Sequence, residues 1–220
     1  MHLLGWTAPG GSDELATAFG EAGSQRLLVL PAWFDEGNKL RQVTVEAMRA
    51  MERLGVASVM PDLPGCNESL APLPSQNLES WRLAAADAAR HLGCSHVLAV
   101  RAGANVAPDL PGWAWAPLAG KSALRALLRA RVIAAKEAGA AETSDGLLET
   151  GKAQGLDLAG YRLGAAMIAG LAEAELPASA LTPIAQSDLG GPGLWLRAEP
   201  EHDAAQAEAL ARIIAAGLAA

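Results

Sequence analysis

Short apolar runs alternate with amphipathic stretches along this chain of 220 residues. Arg26-Leu27-Leu28-Val29-Leu30 runs into Pro31, the pattern of a central parallel strand covered on both faces. Residues 40 to 54 place Val43, Ala47, Met48, Met51 and Leu54 at helical spacing, and Gly55 ends that helix. Val56 to Met60 is the next strand, leaving through the turn-rich Pro61-Asp62-Leu63-Pro64-Gly65-Cys66-Asn67. Asn77 to Leu92 reads as a helix with Asn77 as its N-cap and Glu79 in the first turn. A strand, a tight turn and a helix occupy residues 95 to 107, and Gly112 to Pro117 is another short strand.

Beyond that point alanine is abundant and helix dominates. The pattern predicts a helix over 121–138, with a basic face of Lys121, Arg125, Arg129 and Arg131. It predicts a loop or broken helix over 139–155, a short strand from Leu156 to Tyr161 and a helix from Gly164 to Leu176. Leu194 to Arg197 reads as a late strand and Ala204 to Leu218 as a terminal amphipathic helix. Strands alternating with helices over short links imply an α/β fold, a mostly parallel doubly wound sheet with right-handed crossovers. No internal repeat or linker divides the chain, so residues 1–220 read as a single domain, with 118–155 placed where a small helical cap is inserted.

Composition narrows the partners. Apolar residues make up 51% and charged residues 19%, which is globular rather than disordered. The formal charge of −7, with no basic block, excludes the usual nucleic-acid binders. There is no run of 18 apolar residues and no signal-peptide pattern at Met1–Thr7, so no membrane span is expected and a cytoplasmic location is the default. Cys66 and Cys94 stand apart from CxxC pairs and clustered histidines, and read as buried thiols rather than a disulfide or metal site. No metal or cofactor is expected. Gly120-Lys121-Ser122 is not a P-loop, because the position five before Gly120 is Trp115.

The informative chemistry lies in Ala99-Val100-Arg101-Ala102-Gly103. In α/β-hydrolases the strand–turn–helix G-x-S-x-G presents the nucleophilic serine. Here an arginine stands at the serine's place, and a guanidinium has no lone pair to attack with. Three further blocks accompany it: Pro31-Ala32-Trp33-Phe34-Asp35-Glu36-Gly37-Asn38-Lys39-Leu40-Arg41, Pro61 to Ser69, and Trp115 to Lys121 leading to Leu127–Arg131. A smaller match is Leu158 to Tyr161. On these residues the chain resembles the second type of exosortase A system-associated hydrolase, over roughly residues 26 to 133. The resemblance implies an α/β-hydrolase-like fold, a bacterial exosortase or exopolysaccharide context, and an arginine at the elbow as a trait of the group. The chain departs from the pattern at Ala99, at an N-terminal part too short for the first hairpin, and at an abbreviated 177–192.

Two functional readings stay open. In the first, Arg101 and the N–H groups of Ala102 and Gly103 form a site for an anionic small molecule, such as a carboxylate, phosphate or uronate, over the carboxyl ends of the strands. Trp33, Glu36, Asn38, Lys39 and Asp62 would line it. Against this, Arg101 can simply be matched by a carboxylate such as Glu36 or Asp62. In the second reading the protein is a hydrolase or acyl-transfer enzyme with His202, the one histidine after the elbow, as base and a water, Cys66 or Ser69 as nucleophile. Against that, His202 reads equally as an exposed residue at a helix start. Ser95 begins a strand and Ser69 sits in a turn, both structural settings; Trp113 and Trp115 share one strand face and read as core.

Overall fold

The computed structural model describes residues 1–219 other than 22, 24 and 179. The chain opens with β1 (His2–Thr7) and β2 (Asp13–Phe19), followed by β3 (Arg26–Leu30), α1 (Phe34–Arg53), β4 (Ala57–Pro61), α2 (Leu78–His91) and β5 (His96–Val100). A 3-10 turn, Arg101–Val106, leads to β6 (Gly112–Trp115), α3 (Gly120–Glu137), α4 (Ser144–Gln154), and a hairpin of β7 (Leu156–Leu158) and β8 (Tyr161–Leu163). Then come α5 (Ala165–Glu173), β9 (Thr182–Ile184), the single turn α6 (Gln186–Leu189), a 3-10 turn at Leu194–Leu196 and α7 (Ala204–Leu218).

The main sheet has the order β1-β2-β4-β3-β5-β6-β9. β2 pairs antiparallel with β1 and β4; the ladders from β4 through β3, β5 and β6 to β9 are parallel. Alternation along the central strands sends Leu28, Leu30, Val59 and Val97 to one face and Leu27, Val29, Met60, Leu98 and Val100 to the other. The first face is covered by α2, α3 and α5, with Trp81 fully buried; the second is covered by α1 and α7. Each of these fully buried aliphatic side chains contributes roughly 1.5–3 kcal/mol of transfer free energy. Asn77 caps α2 in a reciprocal box: its Oδ1 accepts from the Ser80 N–H at 2.8 Å, and Ser80 Oγ accepts from the Asn77 N–H at 3.0 Å.

Three expectations are corrected and one is narrowed. The N-terminal hairpin is present as β1 and β2. It is an edge pair with few inward residues, among them Trp6, Ala16 and Ala18, so its apolar alternation is faint. The loop alternative for 139–155 gives way to the broken helix: after a break, residues 144–154 form α4, capped by Thr143, whose Oγ1 accepts from the Gly146 N–H at 3.2 Å. The expected strand at 156–161 is a separate two-stranded hairpin. Leu194–Leu196 is a 3-10 turn rather than a strand, and the last strand of the main sheet is β9, inside the stretch that looked abbreviated. No helix among the described residues is long and apolar enough to cross a membrane.

Candidate functional site

The carboxyl ends of β3, β5 and β6 lie side by side, and the chain leaves each through a tight turn. Arg101 follows β5 with φ of 52°, in the left-handed region that an elbow requires and that a non-glycine residue enters at a cost of about 1–2 kcal/mol. Phe34, after β3, and Ala116, after β6, have φ of 55° and 43°. The strand and elbow are therefore retained around a residue that cannot be the nucleophile, while the helix expected after the turn is the 3-10 turn Arg101–Val106.

The guanidinium is heavily engaged. Its Nε and one Nη donate to the two oxygens of Glu36, each at 2.9 Å, and the other Nη donates to the Ala116 carbonyl at 2.8 Å. Its carbon lies 4.1 Å from the centre of the Trp195 ring. The Arg101 side chain is 11% exposed and that of Glu36 23%, so solvent screens this pair only in part. Bidentate geometry, a third hydrogen bond and an aromatic face together offset the desolvation of the charge. Of the two carboxylates considered as partners, Glu36 is the one that pairs.

Above Arg101 lies a cavity of about 500 Å³. Its base is Glu36, Arg101 and Ala102, and its walls are largely apolar: Phe34, Leu118, Leu127 and Trp195, with Ser122, Ala126 and Ala130 along one side of α3. The N–H groups of Ala102 and of the first residues of α1 begin helical turns and have no intrahelical partner. Residues 118–155 thus supply α3 as one wall of the space over the elbow.

A second, more enclosed cavity of about 100 Å³ lies beside the start of α1. Asn38, Arg41 and Thr44 line it from α1, Cys66 and Asn67 from the turn after β4, and Tyr161 from β8. Trp33 and Phe34 border both cavities. Asn38 Nδ2 donates to Tyr161 Oη at 2.9 Å.

The expected site residues divide accordingly. Arg101, Ala102, Trp33 and Glu36 meet at the elbow cavity, while Asn38 lines the smaller one. Lys39 pairs with Asp35 at 2.7 Å and lines neither. Asp62 is buried and accepts from Asn67 Nδ2 at 2.7 Å; burial raises its carboxyl above the ordinary range, while that hydrogen bond and the charge of Arg41 oppose the rise. Three contributors are not among the site residues expected from the sequence: Trp195, the Ala116 carbonyl and Tyr161, each brought in by tertiary folding.

His202 is exposed just before α7 and lines neither cavity. Its neighbours are occupied locally: Asp203 caps α7 by accepting from the N–H groups of Ala205 and Gln206, and Glu201 pairs with Arg197 at 3.2 Å. Ser69 Oγ accepts from the Gly65 and Ala71 N–H groups and donates to Glu14, which ties a turn together. Ser95 Oγ does lie 2.9 Å from His96 Nδ1, but this contact sits at the opposite end of β5 from the elbow, where Ser95 also accepts from the Arg26 N–H. Ser122 is the hydroxyl that reaches the elbow cavity, and no imidazole among the described residues lines that cavity.

Burial, with Asp62 and Glu14 adding to it, pushes the Cys66 thiol up to about 12. At pH 8 only about one Cys66 in ten thousand carries a thiolate, so iodoacetamide is expected to leave it unlabelled in the native protein and to label it after denaturation. Rapid native labelling, read by mass spectrometry, would contradict the burial.

These features define an α/β-hydrolase-like fold carrying an elbow without a hydroxyl. A solved structure agrees on the fold. A thermophilic esterase from Thermogutta terrifontis matches over 84% of this chain and 79% of its own, with 15% identity and a TM-score of 0.51. A proline iminopeptidase-related protein from Thermus thermophilus matches over 69% and 57%, with 24% identity and a TM-score of 0.47. An epoxide hydrolase from Vigna radiata matches over 48% and 33%, with 20% identity and a TM-score of 0.40. The chain spans about a third to a half of the length of several such structures. No family model and no curated protein matches the chain.

Proposed function

We propose that this protein is an atypical, non-hydrolytic α/β-hydrolase-fold protein that binds a small anionic or saccharide-derived ligand in the cavity over Arg101. The observation that carries this reading is the engagement of Arg101: the elbow holds a cation paired with Glu36, and the space above it is open to a ligand. Three of the five N–H groups of Arg101 are used, which leaves two, together with the Ala102 N–H, to meet an acceptor group. The apolar walls suit the carbon skeleton of the same ligand. Because Glu36 balances the guanidinium charge, recognition rests on directed hydrogen bonds more than on net charge. In this reading the chain is one domain and residues 118–155 act as its cap. The resemblance of the blocks at 31–41, 115–121 and 127–131 to exosortase-associated hydrolases supports a role in exopolysaccharide-linked export.

The test is fluorophosphonate labelling alongside a panel of short acyl esters and uronates. The expected result is no labelling and no ester turnover, with saturable uronate binding that Arg101→Gln abolishes. Stoichiometric labelling of one serine, or turnover lost in His202→Ala, overturns the reading in favour of a hydrolase.

A further inference from the structure

The smaller cavity holds a cation of a different kind from Arg101. Arg41 is half-buried at its edge and makes neither a hydrogen bond nor an ion pair among the described residues. Asp62 feels its charge without being in ion-pair contact, and is itself engaged by Asn67, which stands on the cavity wall. One helical turn on, Thr44 is 1% exposed and its Oγ1 has no partner among the described residues. A buried threonine in a helix ordinarily donates back to the carbonyl four residues earlier; here it does not, and Thr44 stands among the residues around the cavity with its Oγ1 covered. Asn38, Arg41 and Thr44 follow one another at three-residue spacing and share one face of α1. Across the space, Tyr161 Oη accepts from Asn38 and so keeps its own hydrogen to donate; burial raises its pKa, which keeps it protonated. The Trp33 Nε1 group, at the border with the elbow cavity, is also buried and unpaired among the described residues.

The cavity is therefore bordered by donors and by a cation that makes no ion pair among the described residues. A group that only accepts hydrogen bonds and carries one negative charge answers both conditions, and a carboxylate is such a group. A volume of about 100 Å³ admits a few waters or a molecule of a few heavy atoms. Asp62 and Glu14 lie close enough to the Cys66 wall to disfavour a second negative charge, which argues against phosphate dianion. We propose that this cavity is a binding site for a small monocarboxylate, held by Arg41 with the hydroxyl of Tyr161 as a further donor. The site is separate from the elbow cavity, and its existence does not depend on what Arg101 binds.

Acetate is the probe. The whole protein is titrated with sodium acetate at constant ionic strength while NMR follows the Thr44 methyl, the Tyr161 ring and the Trp195 indole. The expected result is a saturable shift at Thr44 and Tyr161 with Trp195 unmoved. Arg41→Gln and Tyr161→Phe each weaken binding, the first by at least about tenfold because a charge-assisted bond is lost. Asp62→Asn tightens binding by removing an opposing charge, and methyl acetate, the neutral relative, does not bind. Equal affinity in folded Arg41→Gln, equal binding of methyl acetate, or no saturable shift overturns the proposal and leaves a water-filled cavity. A shift at Trp195 without one at Thr44 also overturns it, and assigns the carboxylate to the elbow.

Discussion

Arg101→Ala is expected to lower the unfolding free energy by about 3–5 kcal/mol, the loss typical of removing one partner from a buried pair. Glu36 is left with a carboxylate that no longer receives two hydrogen bonds, and the Ala116 carbonyl loses its donor. Trp195 loses the guanidinium against its ring. Alanine does not relieve the backbone, since it also meets the left-handed conformation at this position with a Cβ. Adding Glu36→Gln to Arg101→Ala should recover part of the loss, because it removes the uncompensated charge. Urea unfolding of the two single variants and the double variant measures the coupling. A change below about 1 kcal/mol for Arg101→Ala would mean that the pair is a surface contact of little worth. The elbow arginine would then have no stabilising role, and only the proposed ligand role would be left for it.

Gly103→Ala is the second large effect, at about 3 kcal/mol, the upper end of what overpacking a tight site costs. A Cβ on Gly103 would lie 2.6 Å from the Leu30 carbonyl oxygen and 2.8 Å from that of Pro31. Both are backbone atoms at the end of β3, and Leu30 is held in register with Ala99 of β5. A shift of the turn would displace Arg101 relative to Glu36, so the proposed ligand binding at the elbow should fall together with stability. Gly10→Ala is the control: nothing lies within 4 Å of its added Cβ, and its stability should change by no more than about 0.5 kcal/mol. Thermal and urea unfolding check both. A Gly103→Ala protein as stable as the parent would show that the elbow yields, and would remove the argument that it is held rigid without a catalytic serine.

The parts of the fold that were legible in the sequence share one property: they are buried in a regular repeat. β3 and β4 are apolar almost throughout, and the buried residues of α1 and α7 recur at helical spacing. Asn77 as the cap of α2 and the Ala204–Leu218 helix were readable for the same local reason. The edge hairpin was not, since β1 buries Trp6 while its other residues stay at the surface or half-covered. α4 was legible only as one of two alternatives, since it buries only Leu147 and Gly151 and holds two glycines. Leu194-Trp195-Leu196 looked like a strand on composition alone. In the fold it follows Gly190-Gly191-Pro192-Gly193, joins no sheet, and turns Trp195 onto Arg101.

The candidate site divides along the same line. That a cation stands at the elbow is a matter of residue identity and of the small residues around it, and both are written locally. Which carboxylate meets that cation is not local: Glu36 lies 65 positions away, and Asp62 was an equal candidate for the same role. The sequence by itself determined the buried strands, the helices with regular apolar faces, and the absence of a hydroxyl at the turn after β5. Only the tertiary structure decided that Arg101 is matched by Glu36 and stacked on Trp195 while Arg41 is left without a partner among the described residues. The reason is physical: burial periodicity is a property of neighbours along the chain, whereas pairing depends on which distant groups packing brings within hydrogen-bond reach.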